Sequence, residues 1–119
     1  MNMPLNTSAD IHDPVEQARY NMVEQQIRPW NVLDAGVLEL LSVVRREDFV
    51  PPAYQGAAFT DTRIPLNPDA QEAERLGQVM LEPRVDARML HDLQVQPTDR
   101  VLEIGAGSGY MAALLAARA

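Results

Sequence analysis

The stretch Val101-Leu102-Glu103-Ile104-Gly105-Ala106-Gly107-Ser108-Gly109-Tyr110 constrains the fold more than any other part of this chain. An apolar run carrying one carboxylate enters a Gly-x-Gly-x-Gly turn, and the helix-forming run Met111-Ala112-Ala113-Leu114-Leu115-Ala116-Ala117 follows at once. The pattern predicts a strand over 100–104, a tight loop and a helix start, the opening of a nucleotide-binding α/β domain. Glycine reaches backbone angles closed to other residues and lets a ligand approach the main chain. The helix start behind the loop adds free N–H groups and the positive end of a dipole.

Two ligand classes compete for such a loop. A dinucleotide loop reads G-x-G-x-x-G/A. Counted from Gly105, its sixth position is Tyr110, too large for the helix–strand packing that motif needs. Counted from Gly107, the run Gly107-Ser108-Gly109-Tyr110-Met111-Ala112 satisfies it, so a dinucleotide-dependent oxidoreductase stays open. The form E-x-G-x-G-x-G fits better, with Glu103 as the acid two residues before the first glycine. A carboxylate at the end of a buried strand is costly unless paired. A cationic ligand with a methionine-type amino group, S-adenosylmethionine, would pair it, whereas a pyrophosphate would be repelled. The expected cofactor contacts are Glu103, Gly105, Ala106, Gly107, Ser108 and Gly109. The bland alternative is a turn that binds nothing, with Glu103 satisfied by an internal arginine.

The rest of the chain narrows the class. Its 119 residues suit one domain, and 46% are hydrophobic, enough for a core. The net charge is −7, and all ten cationic residues are arginine. Acidity of that order argues against nucleic acid and anionic membrane surfaces as partners. With no cysteine, thiol nucleophiles, zinc-thiolate sites and disulfides are excluded. No apolar run reaches the roughly 20 residues of a membrane span. Met1 to Asp13 lacks the basic and apolar parts of a secretory signal, so a cytoplasmic location is expected.

Residues 1–12 read as a disordered lead-in, 13–97 as a helical region, and 98–119 as the start of the ligand-binding domain. Asp13-Pro14-Val15-Glu16 predicts a helix start with a capping box, running to about Ile27, with Val15, Ala18, Met22 and Val23 near one face. Asp34 is placed to cap a second helix with Val37, Leu38, Leu41 and Val44 inward. From Ala53 to Leu76 the periodicity is poor, and the polar run Asn67 to Arg75 reads as an exposed loop. Residues 77–81 read as a short extended segment. Pro83 fits the first position of a third helix with Val85, Met89, Leu90 and Leu93 on its apolar side, and Gln96–Asp99 forms a turn. His12 and His91 share no metal-ligand spacing, and His91 is expected to face solvent. Trp30 is expected to anchor packing.

With these elements in order, the chain resembles the protein-L-isoaspartate O-methyltransferase family of class I methyltransferases. The resemblance rests on Met22-Val23-Glu24-Gln25-Gln26-Ile27-Arg28, on Val44-Arg45-Arg46-Glu47-Asp48-Phe49-Val50-Pro51, and on Phe59-Thr60-Asp61 with Ile64-Pro65-Leu66. Gly77-Gln78, Pro83 and the glycine loop complete it. It implies an α/β fold: an N-terminal helical cap, then the first strand, loop and helix of a truncated Rossmann-like sheet. It implies S-adenosylmethionine as methyl donor and, as substrate, a protein or peptide with isoaspartyl residues, methylated on a side-chain carboxylate for repair. In the family's Thr-Ile-Ser-x-Pro-His segment this chain carries Leu81 at the serine position and Arg84 at the histidine position. Arg84, with Arg63 as a weaker candidate, is therefore expected to hold a substrate carboxylate, and Asp61 to shape the substrate loop. No catalytic residue is assigned.

The resemblance also implies an N-terminal fragment, lacking the later strands and the ribose-binding acid. Weak or no donor affinity and no turnover are expected of this polypeptide alone. Self-association through the exposed strand edge is expected too. A non-catalytic assembly module is the remaining alternative.

Overall fold

The computed structural model describes residues 12–119; the lead-in reading falls, His12 apart, outside them. Helix α1 (Pro14–Met22) starts where the sequence places it. The Asp13 carboxylate accepts from the Val15 N–H at 2.8 Å, and Pro14 sits where no donor is needed. The capping box does not form: Glu16 turns sideways to accept from Arg19 at 3.1 and 3.0 Å. Beyond Met22 the helix widens into a π turn, Val23–Ile27. Bonds to the fifth rather than the fourth residue bring Ile27 to the side of Met22, and Met22, Val23 and Ile27 are all buried. A 3-10 turn, Arg28–Trp30, and a left-handed Asn31 (φ 61°) end the run.

Helix α2 (Ala35–Val43) is capped by Asp34, which accepts from the Val37 N–H at 2.9 Å. Its Val37, Leu38 and Leu41 are buried as expected, with Val44 partly covered. The stretch between α2 and residue 77, of which Asn67 to Arg75 reads as an exposed loop, carries more structure. Two 3-10 stretches, Arg46–Phe49 and Pro52–Ala57, precede strand β1 (Ile64–Pro65), and helix α3 (Ala70–Leu76) follows. Asp69 accepts from the N–H groups of Gln71 and Glu72, and Gly77 at φ 72° closes the other end. Strand β2 (Val79–Met80) realises the extended segment, antiparallel to β1 with Ile64 opposite Met80.

Helix α4 (Pro83–Leu93) begins at Pro83, but its buried stripe is Pro83, Asp86, Ala87 and Leu90. Met89 and Leu93 face outward because the stripe packs on α2 and on the π turn. The Gln96–Asp99 turn forms, with the Gln96 N–H donating to Asp99 at 2.8 Å. Helix α5 (Tyr110–Arg118) packs on α2 and α4, burying Tyr110, Met111, Leu114 and Leu115. Its last residue, Arg118, donates to the Val95 carbonyl at 3.1 Å and approaches Asp34 at 3.4 Å.

The expected strand over 100–104 is not formed. A strand exists through its neighbours' hydrogen bonds, and no described segment pairs with this one. Leu102 and Ile104 are 85% and 89% exposed. The sheet among the described residues is β1–β2 alone. The fold is thus helix-rich with a two-strand sheet, compatible with part of an α/β methyltransferase.

Candidate functional site

The glycine loop joins α5 to the extended segment before it. Gly105, Gly107 and Gly109 all adopt left-handed backbone, with φ of 79°, 58° and 90°. A Cβ at Gly105 would meet no atom within 4 Å, so backbone angle and open space, not packing, call for glycine there. The Gly109 N–H donates to the Ala106 carbonyl at 2.9 Å, closing the turn. Ser108 Oγ accepts from the Tyr110 N–H at 3.4 Å. Tyr110, fully buried, anchors the loop: its ring lies 5.7 Å from that of Phe49, and the Arg46 guanidinium sits 5.0 Å above it.

Three cavities meet at this loop. One of about 490 Å³ lies between the glycines and the β1–β2 ribbon, lined by Leu66, Gln78, Gly105 and Gly107. A second, about 350 Å³, is lined by Val101, Glu103, Ala106 and Leu115. The third, about 240 Å³, is lined by Leu81, Asp86, Glu103, Ala106, Ser108 and Tyr110. Gly109 lines none of them and serves as the cap of α5. Glu103 is half-buried, and its Oε1 is shielded from solvent without a hydrogen-bond partner among the described residues. No arginine satisfies it, contrary to the bland reading of the sequence. Glu103 lines the 240 Å³ cavity, and an unpaired carboxylate oxygen is what a cationic amino group would complete, so these residues fit the methionine end of S-adenosylmethionine.

Asp86 is the second acid on that cavity. Burial pushes its carboxyl up to about 6, opposed by Arg46 and reinforced by Glu103 and Glu82. Arg46 is wholly buried and spreads its donors over the Ala58 carbonyl (2.8 Å), the Leu81 carbonyl (2.9 Å) and Asp86 (3.4 Å). Sequence reasoning missed both residues. Arg45 and Arg46 are adjacent, and only the fold decides that Arg46 points inward.

The expected substrate residues do come together. Arg84 Nε lies 3.0 Å from Asp61 Oδ1, an ion pair without a directed hydrogen bond. The Arg84 guanidinium also stacks 4.2 Å from the centre of the Trp30 ring. Trp30, expected to anchor packing, is instead partly exposed and serves as Arg84's platform. Neither Arg84 nor Asp61 lines the cavities at the loop. Leu81 does, and Arg63 is engaged with Glu74 instead. His91 is partly covered and pairs with Asp92 at 3.3 Å. Among the described residues no group of acids and histidines could hold a metal. No helix is long and apolar enough to cross a membrane.

Comparison with known proteins decides the family. The model of the protein-L-isoaspartate(D-aspartate) O-methyltransferase family matches residues 17–118. The chain belongs to that family. A protein-L-isoaspartate O-methyltransferase of Aeropyrum pernix is 44% identical over 104 residues, covering 87% of this chain and 37% of the relative. One from Methylorubrum extorquens is 40% identical over 117 residues, 96% of this chain and 48% of the relative. One from Herpetosiphon aurantiacus is 39% identical over 104 residues, 87% of this chain and 43% of the relative. All three carry an enzyme's name, and the chain spans less than half the length of each. The dinucleotide and assembly-module readings gain no support from these relatives.

Proposed function

We propose that this isoaspartyl methyltransferase family chain contributes the donor-binding loop of an S-adenosylmethionine-dependent carboxyl methyltransferase. The acceptor is a carboxylate on isoaspartyl residues of proteins, and the setting is cytoplasmic repair. The carrying observation is the buried, unpartnered Oε1 of Glu103 beside three left-handed glycines. When bound, S-adenosylmethionine supplies a methyl group activated by a sulfonium. Glu103 pairs with the donor's amino group. Gly105, Ala106 and Gly107 offer a main chain without obstructing side chains, and Ser108 holds the turn. The segment from residue 98 onward is read as the first part of a Rossmann-like sheet, with 13–97 as its helical cap.

A carboxylate acceptor is already ionised at neutral pH, so no strong base is needed; alignment and exclusion of water carry the rate. Arg84 receives a substrate carboxylate as Asp61 gives way, with the Trp30 face holding the guanidinium plane. With Leu102 and Ile104 exposed, the loop lacks support from neighbouring strands among the described residues. The polypeptide alone therefore binds donor weakly, does not turn over, and tends to self-associate through that apolar segment.

Isothermal titration of the 119-residue chain with S-adenosylmethionine tests the weak-affinity part; micromolar binding contradicts it. A family-length version carrying this sequence tests the rest: it should methylate an isoaspartyl peptide, and Glu103→Gln should raise the donor KM. Turnover untouched by Glu103→Gln, or none on isoaspartyl peptide, counts against the proposal.

A further inference from the structure

The 240 Å³ cavity has two acids on its wall, and the reading above uses only Glu103. Asp86 is buried on α4, and its one cationic neighbour within 4 Å, Arg46, is 3.4 Å away at the long end of hydrogen bonding. That guanidinium already serves two carbonyls at 2.8 and 2.9 Å and lies against the Tyr110 ring. Tyr110, 2% exposed, lines the same cavity with a hydroxyl that has no hydrogen-bond partner among the described residues. The cavity thus gathers two carboxylates, one unpaired carboxylate oxygen and one unpaired hydroxyl. Its polar wall is short of positive charge.

We propose that Asp86 is a second anionic binding residue of the donor cavity, completed by the cationic methyl donor, so that donor binding and ionisation of Asp86 are coupled. This rests on the donor reading of Glu103 given above. The groups facing Asp86 are Arg46 from the 3-10 turn, Glu82 at the start of α4, Glu103 from the glycine loop and Tyr110 from α5. Burial itself, and then Glu103 and Glu82, favour the protonated acid at Asp86, and Arg46 opposes it. A cation entering the cavity adds to the Arg46 side. The proton held by Asp86 at mildly acid pH leaves to solvent as the donor binds, and affinity rises with pH until the acid is ionised in the free chain. A purely structural Asp86, buttressing Arg46, would give no such coupling.

The test is an NMR titration of the 119-residue chain with millimolar S-adenosylmethionine, from about pH 5 to about pH 7.5. Side-chain carboxyl shifts report Asp86 with and without donor. The wild type should bind about tenfold more tightly at the upper end, the equivalent of one unit of proton linkage. Asp86→Asn should lose that slope and bind about tenfold more weakly near neutrality. If Asp86→Asn misfolds, the wild-type Asp86 midpoint decides: donor saturation should lower it, and an unmoved midpoint overturns the proposal. Donor binding that needs Glu103 but has the same pH slope in Asp86→Asn overturns this inference and leaves the donor reading standing. No binding at millimolar donor, either to this chain or to a family-length version carrying its sequence, overturns both.

Discussion

Arg19 and Glu47, twenty-eight residues apart, are joined by two hydrogen bonds of 2.9 and 2.7 Å, with the arginine almost wholly buried. The pair ties α1 to the turn that carries Arg46, and Glu16 and Arg45 extend it to the surface. The Arg19 hydrogen bonds hold Glu47 below the usual carboxylate range, and Glu47 in turn raises Arg19. Removing Arg19 leaves the largely buried Glu47 with the exposed Arg45 as its remaining cation among the described residues. Arg19→Ala should therefore cost about 3 kcal/mol, read from the urea midpoint. The folded Glu47 titrates below its unfolded value, so this contribution is present at neutral pH and lost as pH falls through the folded value.

Asp86 works in the opposite sense. Its carboxyl is pushed up to about 6 in the folded chain from an ordinary aspartate value of 3.8. Between those values the folded state holds a proton that the unfolded state has lost. Stability contributed by this site therefore falls as pH rises from about 4 to about 6, by something on the order of 2 kcal/mol. The difference in urea midpoint between wild type and Asp86→Asn, followed across that window, should show it. A difference independent of pH contradicts the burial argument.

The glycine loop makes a sharper demand. Gly105 sits at φ 79° with open space where a side chain would project. Gly105→Ala should cost about 1 kcal/mol through backbone strain alone, without a packing clash. Gly56 has equally open surroundings and no left-handed φ, so Gly56→Ala is the control and should be near neutral. Thermal melts of the two variants separate the effects. Equal shifts would mean that the loop does not hold its left-handed geometry.

The Trp30–Arg84–Asp61 stack predicts a kinetic split in a family-length version of the protein. Arg84→Ala should raise KM for the acceptor peptide about tenfold while leaving donor affinity unchanged, as expected for a lost charge-assisted contact. Asp61→Asn should free the guanidinium and lower that KM. Unchanged kinetics in Arg84→Ala would make Arg84 a surface arginine stacked on a tryptophan and no more.

Much of the local structure was legible because helix starts are written locally. Asp13, Asp34 and Pro83 each act within four residues, and each helix begins there. Helix α3 was written just as plainly in Asp69 and Gly77, but its seven residues bury only Ala73, so no apolar stripe marks it. The strand expected over 100–104 is not formed for the reverse reason. Val101, Leu102 and Ile104 have strand character, yet a strand also needs a hydrogen-bonding neighbour, and none of the described segments supplies one. Within the site, the glycines and Glu103 were visible as a motif. Arg46 and Asp86 were not, because a charge forty residues from its partner is buried by tertiary packing alone.

Everything said of function turns on whether Glu103 and the glycine loop receive a positively charged donor. The most direct measurement is the amide spectrum of residues 103–111 in the 119-residue chain, titrated separately with S-adenosylmethionine and with NAD. Saturable shifts confined to this loop with S-adenosylmethionine, absent with NAD and lost in Glu103→Gln, are the predicted result. Loop shifts with NAD, or shifts with S-adenosylmethionine that survive Glu103→Gln unchanged, contradict the account.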